Sequence, residues 1–150
     1  MRALLRRVSN AKVEVENSIV GQIKDGLLIY VGFQSDDCLE DFSWLAKKII
    51  GLRIFEDSNG KMNLPISKRQ GILIVSQFTL LGSLKKGYRP SFNRSSPSDV
   101  AKFQYERFLM QVEQNFDGRV ESGQFGSEMK ITAVDFGPVT LWIDSKNKNY

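Results

Sequence analysis

The stretch that most constrains this chain is a short apolar run that ends in polar side chains. Residues 72–75 read Ile-Leu-Ile-Val, and the β-branched majority of that run is typical of a strand buried on both faces. Ser76, Gln77 and Thr79 follow directly and are interrupted only by Phe78. Polar groups at the end of a buried strand destabilise a fold unless each finds a hydrogen-bond partner. This strand end is therefore either bonded to neighbouring backbone or forms the polar floor of a ligand pocket.

A basic loop after the polar strand end favours the pocket. Lys85, Lys86, Arg89 and Arg94 crowd one turn-rich segment, and clustered cations attract phosphate groups. Residues 88–92 interleave aromatic and basic side chains, as stacking on bases and contact with phosphates require. An ordinary loop with anchored aromatic residues is the alternative. We expect a phosphate-attracting surface beside the polar strand end.

The rest of the pattern predicts about seven strands and two helices in one mixed α+β (α/β) domain that covers residues 1–150, with a frayed polar tail at 145–150. Apolar residues at helical spacing predict one helix that is capped by Ser35 or Asp36 and ends near Gly51. A second helix is predicted to start at Ser96 as the cap, with Pro97 in the first helical position. The other strands are expected at residues 2–16, 19–23, 27–33, 52–55, 119–121, 130–136 and 139–144, with an irregular connection at 61–70.

The residue types that are missing exclude several kinds of chemistry. The chain has no histidine and one cysteine, so it has no imidazole base and no set of nitrogen and sulfur ligands for zinc. We therefore expect no metal and no cofactor, and we interpret Cys38 as a half-buried filler. No apolar run of 18 residues and no secretory signal are present, so we expect a cytoplasmic protein without a membrane partner. A net charge of +4 is a mild indication of a polyanionic partner.

Two further positions have both a structural and a functional interpretation. Gly137-Pro138 interrupts a long apolar segment, where proline indicates an edge, a bulge or a kink, or a cis peptide whose carbonyls face a ligand. Thr140 adds a hydroxyl group close by. Phe125 is expected to be a plug of the core, with the aromatic wall of a pocket as the alternative.

Three motifs in this order resemble the D-aminoacyl-tRNA deacylases, also called D-tyrosyl-tRNA deacylases. They are residues 76–80 (SQFTL), 86–92 (KGYRPSF) and 137–140 (GPVT). Weaker matches extend the resemblance from residue 1 to about residue 144. Two departures stand out. The family usually has Gln-Arg-Val where this chain has Arg6-Arg7-Val8, and many members have Asn-Asp where this chain has Asp135-Phe136.

The resemblance implies an enzyme that hydrolyses the ester between a D-amino acid, or glycine, and the 3′ end of tRNA. It also implies two packed β-sheets that form a barrel-like core, with two main helices on one side, and a homodimer with active sites at the subunit interface. The strand end of one subunit would face a Gly-cis-Pro motif of the other. The implied site residues are Ser76, Gln77, Phe78 and Thr79 for catalysis; Gly137, Pro138, Val139, Thr140, Phe125 and Met129 for substrate binding; and Lys85, Lys86, Arg89 and Arg94 for tRNA binding.

The residue chemistry favours catalysis by backbone groups. Without histidine, Thr79 has no evident base that would make it a nucleophile. We expect the backbone N–H groups near Phe78 and Thr79 to hold the ester carbonyl while water attacks. Thr79 as a covalent nucleophile is the alternative. Two other functions stay open at this point, namely a non-catalytic tRNA-binding module and a hydrolase of another small ester.

Overall fold

The long first strand organises the sheet. Strand β1 (Arg2–Val15) pairs antiparallel with β8 (Lys130–Asp144) along one edge. Its other edge is shared, because β1 is longer than either neighbour there: β3 (Gly26–Gly32) pairs with its first half and β2 (Ser18–Ile23) with its second half. Strands β1 and β2 form a hairpin, with the turn at residues 16–17.

Parallel pairing extends this sheet on the far side of β3. In a computed structural model that describes residues 1–85 and 87–149, β3 pairs with β6 (Gly71–Ser76), and β6 pairs with β7 (Arg119–Ser122). A separate ribbon consists of β4 (Phe55–Glu56) and β5 (Met62–Leu64).

The six-stranded sheet curls until its two ends approach each other. A Cβ placed on Gly21 of β2 would lie 2.6 Å from the Ser122 carbonyl oxygen of β7, so these outer strands are in backbone contact. Only glycine allows such an approach at this position. The result is a nearly closed, barrel-like sheet, and the predicted mixed α+β class is confirmed.

Two apolar clusters explain why residues 72–75 of β6 are apolar at every position. Ile72 and Ile74 point to the helical side of the sheet, whereas Leu73 and Val75 point into the interior of the curled sheet. All four are fully buried, which confirms the predicted buried strand. Burial of each such side chain stabilises the fold by roughly 1.5–3 kcal/mol.

Two helices cover one face of the sheet, as predicted. Helix α1 (Leu39–Gly51) and helix α2 (Ser98–Asn115) pack against each other and share the larger apolar cluster. Leu45 of α1 and Phe108 of α2 are completely buried there. No helix among the described residues is both long and apolar enough to cross a bilayer.

The predicted start of each helix was wrong. The cap residue of α1 is Cys38, not Ser35 or Asp36: its carbonyl accepts from the Asp41 N–H at 3.1 Å, and its own N–H donates to Asp41 Oδ2 at 3.0 Å. The Cys38 side chain is exposed rather than half-buried. Helix α2 begins at Ser98 and has Pro97 in the cap position. The hydroxyl that was expected to cap α2 is used in the core instead, as described below.

Three strand predictions also need correction. Of the strand predicted at 52–55, only Phe55 lies in a strand, β4, and the segment predicted as irregular contains β5. The two strands predicted at 130–136 and 139–144 form one strand, β8, whose pairing with β1 shifts in register around Gly137. The peptide bond between Gly137 and Pro138 is cis.

Candidate active site

A cavity of about 590 Å³ opens where the parallel strands β3 and β6 end. Val31 of β3 pairs with Ser76 of β6, so the carboxyl ends of both strands meet at this edge, the usual place for a ligand site in a parallel arrangement. The other walls come from the segment that precedes α2, from the first turns of α2 and from the loop before β8. The lining residues are Val31, Gly32, Phe33, Val75, Ser76, Gln77, Phe78, Phe92, Ser95, Ser96, Ser98, Ala101, Phe125, Gly126, Ser127, Met129 and Ile131.

The polar strand end forms the floor and rim of this cavity. The Gln77 N–H donates to the Val31 carbonyl at 2.7 Å, which extends the β3–β6 pairing by one step. The chain then turns into a short 3₁₀ helix, Phe78–Leu81. Ser76, Gln77 and Phe78 line the cavity, whereas Thr79 is exposed and lies outside the lining.

The backbone N–H groups of Phe78 and Thr79 are not used in hydrogen bonds within the described part of the fold. Among the described residues, neither group donates a hydrogen bond to a protein acceptor, although the N–H groups on either side of them, at Gln77 and Leu80, do. Adjacent free N–H groups beside a cavity can hold an oxygen that becomes negatively charged during acyl transfer.

Thr79 has a hydrogen-bond partner that does not suit a nucleophile. Its Oγ1 accepts a hydrogen bond from the side-chain amide of Gln77. An amide N–H is a donor and takes no proton from a hydroxyl group, so this contact does not activate Thr79.

Phe125 forms part of the cavity wall and also packs on the core. Its ring lies 5.7 Å from that of Tyr105, measured between centroids. Burial raises the pKa of Tyr105 above its usual range, so its hydroxyl stays protonated and donates to the Ile74 carbonyl at 2.8 Å. Met129 lies in the same wall. Both interpretations of Phe125, plug and wall, thus describe the same ring.

Gly137 and Pro138 lie away from the cavity of their own chain. Along the pairing of β1 with β8, Arg6 lies opposite Thr140 and Val8 opposite Asp135, so residues 136–139 bulge out opposite Arg7. Of the predicted substrate-binding residues here, Gly137, Pro138 and Thr140 are exposed and Val139 is buried. We call residues 136–139 the Gly137 loop.

A buried arginine supports the Gly137 loop from the core side. The side chain of Arg7 is almost fully buried, and its Nε donates to the Phe136 carbonyl at 2.9 Å while Nη1 donates to the Ile54 carbonyl at 2.6 Å. Its guanidinium also lies over the Phe136 ring, 5.2 Å from the centroid. Arg7 was missed by sequence reasoning, although a charged residue between the buried Leu5 and Val8 is a signal that could have indicated its role.

The two departures from the family pattern contact each other. Arg6 and Asp135 form a bidentate ion pair, with Nε–Oδ1 at 2.9 Å and Nη2–Oδ2 at 2.8 Å. Asp135 is the residue that directly precedes the Gly137 loop. The substitutions at positions 6 and 135 are therefore one structural feature.

The basic loop is exposed and closed at its base. Ser83 and Ser91 exchange backbone hydrogen bonds of 2.8 and 3.0 Å, and the described residues between them, 84–85 and 87–90, are all exposed. Lys85, Arg89 and Arg94 are exposed. The Phe92 ring packs against the ring of the rim residue Phe78, with 5.0 Å between the ring centroids. Lys86, also predicted to bind tRNA, lies outside the described residues.

A buried polar network behind the cavity was missed by sequence reasoning. The Ser96 hydroxyl donates to Gln104 Oε1 at 2.7 Å, and Gln104 Nε2 donates to the Gln34 carbonyl at 2.9 Å. This network joins helix α2 to the segment after β3 and fixes one wall of the cavity. Within residues 1–85 and 87–149, no group of three or more His, Cys, Asp or Glu side chains is arranged as metal ligands would be.

Comparison with known proteins gives concordant sequence and fold matches. The sequence model of the family described as D-Tyr-tRNA(Tyr) deacylase matches residues 4–144. A D-aminoacyl-tRNA deacylase of Thermosipho africanus is 53% identical over 147 residues, which cover 97% of this chain and 98% of the relative. The corresponding enzyme of Thermotoga petrophila is 50% identical over 146 residues, 97% of each chain.

Solved structures show the same fold. One titled c-Myc DNA Unwinding Element Binding Protein superimposes with a TM-score of 0.90 at 32% identity, and the match covers 96% of this chain and 98% of that one. A probable eukaryotic D-amino acid tRNA deacylase superimposes with a TM-score of 0.81 at 22% identity, covering 95% and 97%.

Proposed function

The chain belongs to the D-Tyr-tRNA(Tyr) deacylase family, and from this premise we propose how its cavity cleaves a D-aminoacyl-tRNA and spares the L-form. The chain is a D-aminoacyl-tRNA deacylase, a hydrolase that acts on the ester bond between an amino acid and tRNA. The products are the free D-amino acid and tRNA. The mechanism, the basis of selectivity and the assembly are the proposals.

The observation that carries the mechanism is the pair of free N–H groups at Phe78 and Thr79 beside the cavity. We place the ester carbonyl oxygen against them, so that they stabilise the negative charge that forms when water attacks the carbonyl carbon. The bond to the ribose oxygen then breaks, and the leaving oxygen takes up a proton. An aminoacyl ester is already reactive, so this stabilisation is enough to account for catalysis without a side-chain nucleophile.

The terminal ribose supplies the group that the protein lacks. Thr79 Oγ1 is occupied by the Gln77 amide and has no base beside it. The neighbouring ribose hydroxyl of the tRNA lies next to the ester by covalent geometry, so it can hydrogen-bond the attacking water or the leaving oxygen. This assignment makes the substrate part of its own catalytic site.

Selectivity is proposed to come from the Gly137 loop of a second subunit. The carbonyl groups of a rigid loop leave room for hydrogen at the α-carbon but not for an L side chain. Because exclusion of this kind acts through the backbone, it tolerates many D side chains. Glycine carries hydrogen at both positions, so glycyl-tRNA should also be cleaved.

Two copies are needed because the cavity and the Gly137 loop lie at opposite ends of the sheet in one chain. Arg7, which supports the loop, pairs with Leu27 at the start of β3, whereas the cavity begins at Val31 near the end of that strand. Four residues of strand separate these positions by roughly 13 Å. An isologous dimer can bring the loop of one subunit to the cavity of the other.

Exposed apolar side chains support such an assembly. Val134, Phe136 and Trp142 on β8 expose 51%, 55% and 41% of their surfaces, and Phe78 at the cavity rim exposes 57%. Apolar side chains gathered on one strand and at a cavity rim mark a protein interface more often than a solvated surface. Burial of this group in a dimer would join rim and loop.

The basic loop is proposed to hold phosphates near the acceptor end of the tRNA. Lys85, Arg89 and Arg94 are exposed, and the loop is anchored next to Phe78 through the Phe92 ring. Since phosphate contacts release counterions, KM for tRNA should rise with salt while the rate at saturation changes little. Lys86 belongs to the same proposal by sequence.

The decisive experiment compares three substrates on the same tRNA. D-Tyr-tRNA and glycyl-tRNA should be hydrolysed, and L-Tyr-tRNA should be spared. Equal cleavage of the D- and L-esters would overturn exclusion by the loop. Binding of tRNA without cleavage of any ester would identify a binding module, and cleavage of simple esters with no preference for tRNA would identify a general esterase.

A further inference from the structure

Arg6 closes the Gly137 loop at both of its ends. The backbone of Arg6 lies opposite Thr140, the first residue after the loop. Its guanidinium binds the carboxylate of Asp135, the last residue before the loop, through two hydrogen bonds of 2.9 and 2.8 Å. One residue of β1 therefore fixes the entry and the exit of a four-residue bulge.

The neighbouring Arg7 acts on the other face of the strand. Side chains alternate along β1, so Arg7 points into the core and reaches the Phe136 carbonyl, whereas Arg6 points outward to Asp135. Arg7 holds the backbone within the loop, and Arg6 holds the residue before it. The Asp135 side chain is 37% exposed and Arg6 is 24% exposed, so water competes only partly for this pair.

The fork geometry of the contact makes it directional. A planar guanidinium bound through two parallel N–H···O bonds fixes the orientation of a carboxylate, which a single lysine contact does not do. A rotation of Asp135 would change the path of the backbone into Phe136 and Gly137. The ion pair is thus suited to set the angle at which the loop leaves the sheet.

We infer that the Arg6–Asp135 ion pair positions the Gly137 loop and thereby contributes to the discrimination between D- and L-aminoacyl-tRNA. Neither residue touches the substrate in this inference, and both act through the loop. The inference rests on the proposed role of that loop. It assigns a function to two of the three positions at which the chain departs from the family pattern.

The test is a double-mutant cycle with the discrimination ratio as its readout. Arg6→Gln and Asp135→Asn each remove one charge, and the double variant carries the two residues that the family usually has at these positions. We expect each single variant to lower the ratio of D- to L-Tyr-tRNA hydrolysis about 3- to 10-fold, since the partner charge is left without its ion pair. The double variant should return the ratio to within about twofold of wild type.

Two further variants separate positioning from general stability. Arg6→Lys keeps the charge but loses the two parallel hydrogen bonds of the guanidinium. Its ratio of D- to L-Tyr-tRNA hydrolysis should therefore lie between those of wild type and Arg6→Gln. Glu14→Gln breaks another ion pair of β1, Lys12–Glu14 at 2.9 Å, away from the Gly137 loop, and should leave the ratio unchanged.

The outcomes distinguish this inference from the proposed function. Single variants with a wild-type ratio would overturn the inference even if the enzyme is fully selective, and so would a double variant that is worse than both single variants. A wild-type enzyme that cleaves D- and L-esters equally would instead overturn the proposed role of the loop. Thermal unfolding of each variant, measured alongside, shows whether the ratio changes without a change in stability, as positioning requires.

Discussion

Thr79 is the single residue whose role most separates the possible mechanisms. If the N–H groups of Phe78 and Thr79 carry catalysis, Thr79→Ala keeps both groups and should lower kcat by less than about 10-fold. Loss of a covalent nucleophile typically costs a factor of about 10⁴ or more. Single-turnover hydrolysis of D-Tyr-tRNA measures the difference.

The control for Thr79 uses a modified tRNA substrate. A tRNA that ends in 2′-deoxyadenosine and is charged on its 3′-hydroxyl lacks the assisting ribose hydroxyl, so it should be cleaved far more slowly. A Thr79→Ala enzyme that is folded but inactive, together with an acyl-enzyme trapped on wild type, would show that Thr79 is the nucleophile.

A second residue-scale prediction concerns Asp41 at the start of α1. Burial disfavours its charged form, but hydrogen bonds from Lys146 and from the Cys38 N–H outweigh burial and hold the pKa of Asp41 below its usual range. A carboxylate with a lowered pKa stabilises the fold above its ordinary pKa, and this stability is lost as the pH falls. Asp41→Asn should cost about 2 kcal/mol at pH 7.

Urea unfolding at two pH values checks the sign of this effect. At pH 3 the cost of Asp41→Asn should be smaller by about 1 kcal/mol, because Asp41 in the unfolded chain is then mostly protonated. Glu121→Gln, which breaks the exposed Arg119–Glu121 pair of 2.8 Å, should cost less than about 1 kcal/mol at pH 7. A cost for Asp41→Asn that grows as the pH falls would contradict the assignment.

At the scale of elements, the sequence predicted the features that depend on residues close together in the chain. Residues 72–75 are buried on both faces by two separate clusters, and that double burial requires apolar residues at every position. Helix starts were less predictable, because Ser96 could serve as a cap by its type but is drawn into the Gln104 network by tertiary packing. The polar strand end was recognised because Ser76 and Gln77 break an apolar run, and in the structure both residues line the cavity.

The position of the Gly137 loop could not be predicted in the same way. It depends on a shift of register between β1 and β8, which are more than a hundred residues apart in sequence. No local pattern encodes that Arg6 meets Asp135 or that Arg7 meets the Phe136 carbonyl. The family resemblance supplied the link between loop and cavity, and the single chain shows them separated.

The element-scale prediction tests the Gly137 loop through Gly137→Ala. Gly137 has φ of +121°, which L-residues rarely adopt, and an added Cβ would lie 2.5 Å from Arg7 Nη2. The loop must therefore move, and the ratio of D- to L-Tyr-tRNA hydrolysis should fall at least about 10-fold. Parallel hydrolysis assays with the two esters give this ratio.

A matched glycine separates loop position from backbone strain. Gly60 has φ of +70° and no atom within 4 Å of an added Cβ, so Gly60→Ala should cost roughly 1 kcal/mol of stability and leave selectivity unchanged. If both alanine variants change selectivity equally, the effect is a general consequence of destabilisation and not of the Gly137 loop.

At the scale of the whole molecule, the proposed dimer predicts that an inactive variant and an unselective variant together form one selective site. Ala101→Trp would fill the cavity from helix α2, since Ala101 lines it, and Gly137→Val would displace the loop. In a mixed dimer, one site combines both defects and the other combines an intact cavity with an intact loop. Co-expression with two different tags and sequential affinity purification yields that mixed dimer.

The expected rate follows from the number of intact sites. The mixed dimer should cleave D-Tyr-tRNA at about half the wild-type rate per dimer and with the wild-type ratio of D- to L-Tyr-tRNA hydrolysis, whereas Ala101→Trp alone should be nearly inactive and Gly137→Val alone should have a lowered ratio. A mixed dimer of two Ala101→Trp chains that differ only in their tags is the control and should stay inactive. If each chain instead builds its own site, the active subunit of the mixed dimer carries the displaced loop and the ratio stays as low as that of Gly137→Val alone. Light scattering on the wild type at assay concentration completes the test, because a fully active monomer would show that no second copy supplies the loop.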